Sequence, residues 1–223
     1  MGGLGPAATV DFMQKVLAAT NAECDQDHIR MLVDHNPTVP NRHDAILGNT
    51  PSVGPQLADM ARGLESAGAD FIVMVCNTAH AFVDDIRAAL TIPFISIVDV
   101  TVEALAEHEA HRVGVMAAEG ALAANLYQEA LQNAGYHPVL WDQEELAAFM
   151  QLVYRIKAGE RDEDIRSSLV QLAASQVFDG AEVLLAACTE IPLFLDESNS
   201  PAPLLSSTDL LVEKTIALAQ GVS

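Results

Sequence analysis

Basic residues are scarce in this sequence: 11 Lys and Arg stand against 31 Asp and Glu, a formal charge of −20 over 223 residues. A field of that sign repels phosphate backbones and anionic membranes, which argues against nucleic acid or a lipid surface as partner. Long apolar runs are missing too. No stretch reaches bilayer-spanning length, and the first twenty residues have neither the basic flank nor the unbroken apolar segment of a signal peptide. Cysteine is rare: three residues at positions 24, 76 and 188, an odd number without C-x-x-C spacing, which speaks against a disulfide framework or a zinc pattern. Together these absences point to a cytoplasmic, reducing setting. Half the residues are apolar and 5% aromatic, which suits a soluble globular protein of one domain or two small ones.

What is present is alternation. Short apolar, β-rich runs at Ile29–Asp34, Asp70–Val75, Phe94–Ile97, Arg112–Met116, Val139–Trp141 and Glu182–Ala186 read as strands. Between them Pro6–Thr20, Gln56–Ser66, Ala79–Leu90, Val100–Glu107, Ala121–Ala134, Glu144–Lys157 and Asp164–Val177 carry helical spacing. Strand–helix alternation predicts the α/β class, with parallel sheets covered by helices. A self-comparison adds more. Gly68-Ala69-Asp70, five apolar residues and Cys76-Asn77-Thr78 align without gaps on Gly180-Ala181-Glu182, five apolar residues and Cys188-Thr189-Glu190, 112 residues later. This predicts two similar domains, each a short parallel sheet flanked by helices, related by pseudo-twofold symmetry. Their expected extents are 1–98 with 208–223, and 99–207, with the last helix, about Asp209–Ala219, returning to the first domain. The second copy opens with the strand Arg112–Met116, whereas the first opens directly on Met1-Gly2-Gly3-Leu4-Gly5-Pro6. A Gly-rich turn before a Pro at a helix start normally receives its chain from a strand, so an apolar segment ahead of Met1 is expected to stabilise the fold.

The repeat sets Cys76 and Cys188 at the carboxyl ends of buried strands, where open α/β sheets bind ligands and the next helix offers free backbone N–H groups. A helix start lowers a thiol's pKa and cradles carboxylates, and Asn77, Thr78, Thr189 and Glu190 are expected to cap those amides. Inverting a stereocentre by moving one proton requires a base on one face and an acid on the other. Two thiols meet that need symmetrically, whereas a single cysteine more often merely packs. Cys24, among Glu23, Asp25 and Asp27 and without a counterpart in the repeat, reads as a bystander.

Four segments resemble the signatures of the aspartate/glutamate racemase superfamily: Gly2-Gly3-Leu4-Gly5-Pro6-Ala7-Ala8-Thr9, Asn36-Pro37-x-x-Pro40-Asn41-Arg42, Cys76-Asn77-Thr78-Ala79-His80 and Cys188-Thr189-Glu190-Ile191-Pro192. They recur in order over nearly the whole chain and are most similar to the aspartate racemase branch. The resemblance implies a two-domain enzyme independent of pyridoxal phosphate, commonly a homodimer, acting on a small acidic amino acid. It implies Cys76 and Cys188 as the catalytic pair, Arg42 as the substrate-binding arginine and Lys157 as the substrate-facing lysine.

Other readings stand beside these. Arg42 is either a bidentate carboxylate grip on a loop over the cleft or an exposed ion pair with Asp44. Lys157 either faces the substrate or complements the end of a helix. His80 either reaches Cys76 across one turn or serves as a core or capping histidine. Glu190 either binds the substrate ammonium or is a first-turn anion. Gly5 is read as letting backbone approach a small carboxylate. The chain reads Met116-Ala117-Ala118-Glu119-Gly120-Ala121 where many relatives carry threonines, and the acidic and histidine helpers of glutamate racemases have no clear match, so aspartate is preferred over glutamate. No cofactor and no metal is implied: pyridoxal phosphate needs a Schiff-base lysine and a phosphate cradle, the lysines are Lys15, Lys157 and Lys214 alone, and the Gly2–Gly5 turn, which could hold a phosphate, more economically serves a small carboxylate. The alternatives are a single-cysteine decarboxylase or isomerase of a small diacid, a non-catalytic small-acid binding protein, and a cysteine hydrolase built on Cys76 and His80.

Overall fold

The computed structural model describes residues 1–221. The last two residues of the segment 208–223, expected above to join the first domain, lie outside the described residues. The chain opens with α1 (Pro6–Ala19), which has Pro at its first position, where the missing N–H costs nothing. A five-residue helix α2 (Arg42–Ile46) follows, capped by the Asn41 side chain, which accepts from the His43 N–H. This segment was expected to be a loop; one helical turn is too short to display an apolar period. Next come α3 (Gly54–Ser66) and β1 (Ile72–Val73). The expected helix Ala79–Leu90 is instead a 3₁₀ turn, Thr78–Phe82, running into α4 (Val83–Ala88). β2 (Phe94–Ile95), α5 (Ile97–Ala104) and β3 (Arg112–Ala117) lead into the second half. There α6 (Glu119–Ala123) and α7 (Leu126–Asn133) replace the single expected helix Ala121–Ala134, because Asn125 takes a left-handed conformation with φ 53° and breaks the ladder. β4 (His137–Val139) precedes α8 (Gln143–Lys157), whose start is fixed by the Asp142/Glu145 capping box. α9 (Glu163–Phe178), β5 (Val183–Ala187), β6 (Leu204–Ser206) and α10 (Ser207–Ala219) complete the chain. β6 was not foreseen: three residues after Pro203, the last of them the serine cap of α10, are too few to show alternation.

All strand pairings are parallel, giving the expected α/β class in two sheets, β1-β2 and β4-β3-β5-β6. The expected strand Ile29–Asp34 does not form; its end contributes only a parallel bridge between Gly2 and His35. Its would-be neighbour is Met1. The Met1 amine donates to the Val73 carbonyl at 2.7 Å, and Val75 N–H donates to the Met1 carbonyl at 3.1 Å, so Met1 lies opposite Met74. The 112-residue repeat equates Met74 with Ala186, whose partner across the sheet is Met116. Met1 therefore stands where Met116 stands in the second half, near the end of a strand. Beside it, between residues 29–33 and 70–73, runs a cavity of about 520 Å³, lined also by Phe12 and Leu64. Gly3, at φ 81°, turns the chain into α1, and a side chain there would collide with the backbone of Asn36.

The repeat extends beyond the cysteine segments. Ser96 caps α5 by accepting from Asp99 N–H, and Ser206 caps α10 by accepting from Asp209 N–H, each at 3.2 Å. The two helices pack on each other, and α10 also packs on α1, where Lys15 bonds Asp209 at 2.6 Å. One buried cluster joins both halves through Phe12 and Val16 of α1, Val98 of α5, Val113 and Val115 of β3, and Leu211 and Val212 of α10. Separate clusters fill the outer side of each half, around Leu57 and Ile86 in the first and Phe149 and Ile165 in the second.

Two outcomes are expected. Four apolar, β-favouring residues placed ahead of Met1 and laid into the 520 Å³ cavity should raise Tm by about 2–4 °C in a thermal melt, the shift of ~1 kcal/mol for a chain of this size; an unchanged Tm refutes it. The second concerns His80, buried and bonded through both ring nitrogens, Nδ1 to the Cys76 carbonyl at 2.8 Å and Nε2 to Ile97 N–H at 3.1 Å. Burial pushes its pKa down from 6.5 to about 4. The unfolded chain then binds the extra proton first. His80 contributes its full stability above pH 6.5 and loses it as pH falls towards 4, by up to about 3 kcal/mol. Urea titrations across this range should show a shallower loss in His80→Gln than in the parent; equal slopes would count against the assignment.

Candidate active site

Cys188 directly follows β5, and Cys76 follows the equivalent segment that begins with β1. Both are buried, at 5% and 7% exposure, and both line one cleft of about 20 Å³ at the carboxyl ends of the strands. That volume holds roughly one water molecule. Leu4, Arg42, Asn77 and Thr78 approach from the first half and Ala118, Val153, Lys157, Thr189 and Glu190 from the second. The larger cavity beside Met1 is lined by none of these residues. The sequence-predicted residues thus converge on one cleft, with Gly5 at its edge against Glu190 and Lys157.

Arg42 heads α2 and makes no pair with Asp44. Its guanidinium donates to the carbonyls of Val39 at 3.3 Å and Pro40 at 3.1 Å, and to that of Leu4. Carbonyl contacts neutralise none of its charge, so it remains a cation facing the cleft. Lys157, the last residue of α8, turns inward and forms an ion pair with Glu190. Burial works to lower the Lys157 pKa, but the charge and hydrogen bond of Glu190 outweigh it and the net shift is upward. Burial likewise works to raise Glu190, and Lys157 outweighs it, so both members stay charged.

The expected depression of the thiol pKa is not what Cys188 shows. Burial, followed by the charge of Glu190, pushes it well above its ordinary value, and the thiol donates to Glu190 Oε2 at 3.2 Å. The helix start that was to stabilise a thiolate is a single 3₁₀ turn, Ile191–Leu193, too short to sum a dipole. Pro192 sits in its first turn, where a missing N–H is tolerated. Capping is corrected in the same way: neither Asn77 nor Glu190 makes a side-chain cap bond.

The remaining residues divide between cleft and scaffold. Asn77 lines the cleft, but its amide is engaged: it donates to Ser207 Oγ at 3.1 Å and accepts from Tyr127 Oη at 2.5 Å. Ser207 in turn donates to the Ala186 carbonyl at 2.8 Å, so Asn77 ties the first cysteine's loop to the second sheet. Thr189 donates to Glu190 Oε2 at 3.3 Å, and Thr78 lines the cleft wall. His80 bonds the Cys76 carbonyl rather than its thiol, with both ring nitrogens used, which selects the core-histidine reading. Cys24 is exposed and absent from the cleft lining.

Sequence reasoning assigns no role to His43. It is buried, lines the cleft, and its Nδ1 accepts from the Gly120 N–H at 3.0 Å, binding α2 to the start of α6 across the two halves. Burial and then the Arg42 and Lys157 charges lower its pKa to about 4. The only sequence signal was Asn41, whose cap creates the turn that aims His43 inward. Among the described residues no group of three or more His, Cys, Asp and Glu is placed to hold a metal ion.

The chain is 28% identical, over 97% of its length and 95% of the relative's, to the broad specificity amino-acid racemase RacX of Bacillus subtilis (strain 168). Among solved structures it is similar to Picrophilus torridus aspartate racemase, with a TM-score of 0.89 and 28% identity over 98% of this chain and 92% of that one. An aspartate racemase homologue from Pyrococcus horikoshii OT3 shares the fold, with a TM-score of 0.79 at 20% identity over 98% and 96% of the two chains. Residues 1–215 match the family described as Asp/Glu/Hydantoin racemase, and with both cysteines, the cleft and the two-sheet fold inside that span, the chain belongs to this family.

Proposed function

We propose that the chain inverts the α-carbon of a small acidic amino acid, aspartate ahead of glutamate, by moving one proton between Cys76 and Cys188 without pyridoxal phosphate. Amino-acid racemisation is the chemistry named for the family and for the relatives above. The observation that carries the two-cysteine reading is that both cysteines close equivalent segments of the repeat and line one cleft. One thiolate removes the α-proton, and the thiol on the opposite face returns one to the planar carbanion. Reversal exchanges their roles, so one site serves both enantiomers. Lys157 and Arg42, two cations in an otherwise acidic protein, bind the carboxylates, with Arg42 matching the side-chain carboxylate bidentately. Backbone around Gly5 and the residues Asn77, Thr78, Thr189 and Glu190 complete the surround. No helix among the described residues is long and apolar enough to cross a membrane, and the free cysteines suit a reducing, cytoplasmic setting. The homodimer implied by the resemblance belongs to the same proposal, with light scattering in solution as its test.

Proton NMR in heavy water tests the chemistry. The parent chain should incorporate α-deuterium into L- and D-aspartate with racemisation, and Cys76→Ser and Cys188→Ser should each lose about 10²–10⁴-fold in kcat. Full activity in either variant removes that cysteine from the mechanism. Arg42→Lys should raise KM for aspartate by about tenfold while leaving KM for alanine, which lacks the side-chain carboxylate, unchanged. Equal effects on both amino acids would detach Arg42 from side-chain recognition.

A further inference from the structure

The segments after the two cysteines differ in where they carry an acidic side chain. Glu190 follows Cys188 by two residues, and the residue at the same place after Cys76 is Thr78. Among the described residues, the Cys188 thiol bonds a carboxylate and the Cys76 thiol makes no such bond. That carboxylate is 5% exposed and uses both oxygens: Oε1 pairs with Lys157, while Oε2 accepts from the Cys188 thiol at 3.2 Å and from Thr189 at 3.3 Å. It also lies against Gly5, the residue before the first turn of the 14-residue α1. A Cβ built on Gly5 would stand 2.5 Å from Glu190 Oε1 and 3.3 Å from Lys157 Nζ. A carboxylate is favoured at such a helix start whatever molecule it belongs to. With this pair in place the cleft measures about 20 Å³, room for about one water and not for an amino acid.

We propose that Glu190 is a built-in stand-in for a substrate carboxylate: it holds Lys157 and the Cys188 thiol until an arriving acid takes its place on Lys157, and it then accepts the Cys188 proton. The inference rests on the acidic-substrate reading above and adds how the site is armed. The step balances within the protein. The Cys188 S–H bond breaks and an O–H bond forms on Glu190 Oε2; the carboxylate becomes a carboxylic acid, and the thiol becomes a thiolate. Lys157 keeps its charge and pairs with the incoming carboxylate. The drive is electrostatic. Burial favours a protonated Glu190, and Lys157 is what holds it ionised. Once Lys157 is shared with another anion, the buried carboxylate becomes the better base, and the nearest proton is on Cys188. Until then Cys188 is kept as a neutral thiol, so a molecule without a carboxylate to offer Lys157 does not arm it. Cys76, with Thr78 in place of a carboxylate, lacks this control.

The test uses a Cys24→Ser, Cys76→Ser chain, in which Cys188 alone reports thiolate absorbance in the ultraviolet. Saturation with succinate, or with L- or D-aspartate, should add about one thiolate per chain. Calorimetry in two buffers of different ionisation enthalpy should show no net proton release, because the proton stays on Glu190. Adding Glu190→Gln should abolish the ligand-induced gain. The proposal is overturned if these acids bind with no gain in thiolate, if the gain is matched by a proton released to buffer, or if the Glu190→Gln chain gains as much. Racemisation by the parent chain keeps the two ideas apart: activity without the thiolate gain removes only the role of Glu190, whereas failure to bind any of the three acids, with no racemisation, removes both.

Discussion

The ion pair of Lys157 with Glu190 is the contact around which the cleft is organised. It joins the last residue of α8 to the turn after β5, reaches the start of α1 through Gly5, and presses a carboxylate onto the Cys188 thiol. Removing two charges from water is costly, and a pair this buried gives little net stability. Its effect is on state: Lys157 keeps Glu190 ionised, Glu190 keeps Lys157 charged, and burial together with the Glu190 charge raises the thiol. A hydrophobic replacement of the same shape would pack equally well and leave the cysteine without control.

That pair works only because two halves of the chain are held in fixed relation. The shared core through α1, α5, β3 and α10 brings the two cysteine-bearing strand ends to one cleft, and smaller polar ties set the registration. Tyr127, Asn77 and Ser207 form one chain of hydrogen bonds between the halves, and His43 with Gly120 forms another. His80 fixes the backbone under Cys76 to the start of α5. These groups neither carry charge to a substrate nor move a proton in the proposed scheme; they decide where the cysteines stand. In the proposed function the net acidic charge opposes an anionic substrate, and the local charges of Arg42 and Lys157 offset it.

Much of this was legible in the sequence. Alternating apolar runs and helical periods determined the α/β class, and the gap-free match of the Cys76 and Cys188 segments determined that two alike strand ends exist, because a buried parallel strand is a contiguous apolar run that ends where the chain turns to a helix. Elements too short to repeat their period were invisible: α2, β6 and the 3₁₀ turns after each cysteine carry too few residues to show a repeat spacing. Ile29–Asp34 had the composition of a strand, but pairing depends on neighbours and not on composition, and only one bridge formed there. The tertiary structure alone decided what depends on long-range proximity: that Lys157 meets Glu190 across 33 positions, that His80 is spent on backbone while His43 faces the cleft, and that Cys188 is a protonated thiol. A sequence records which groups a chain owns, but their charge states follow from burial and from partners that only folding brings within a few ångströms.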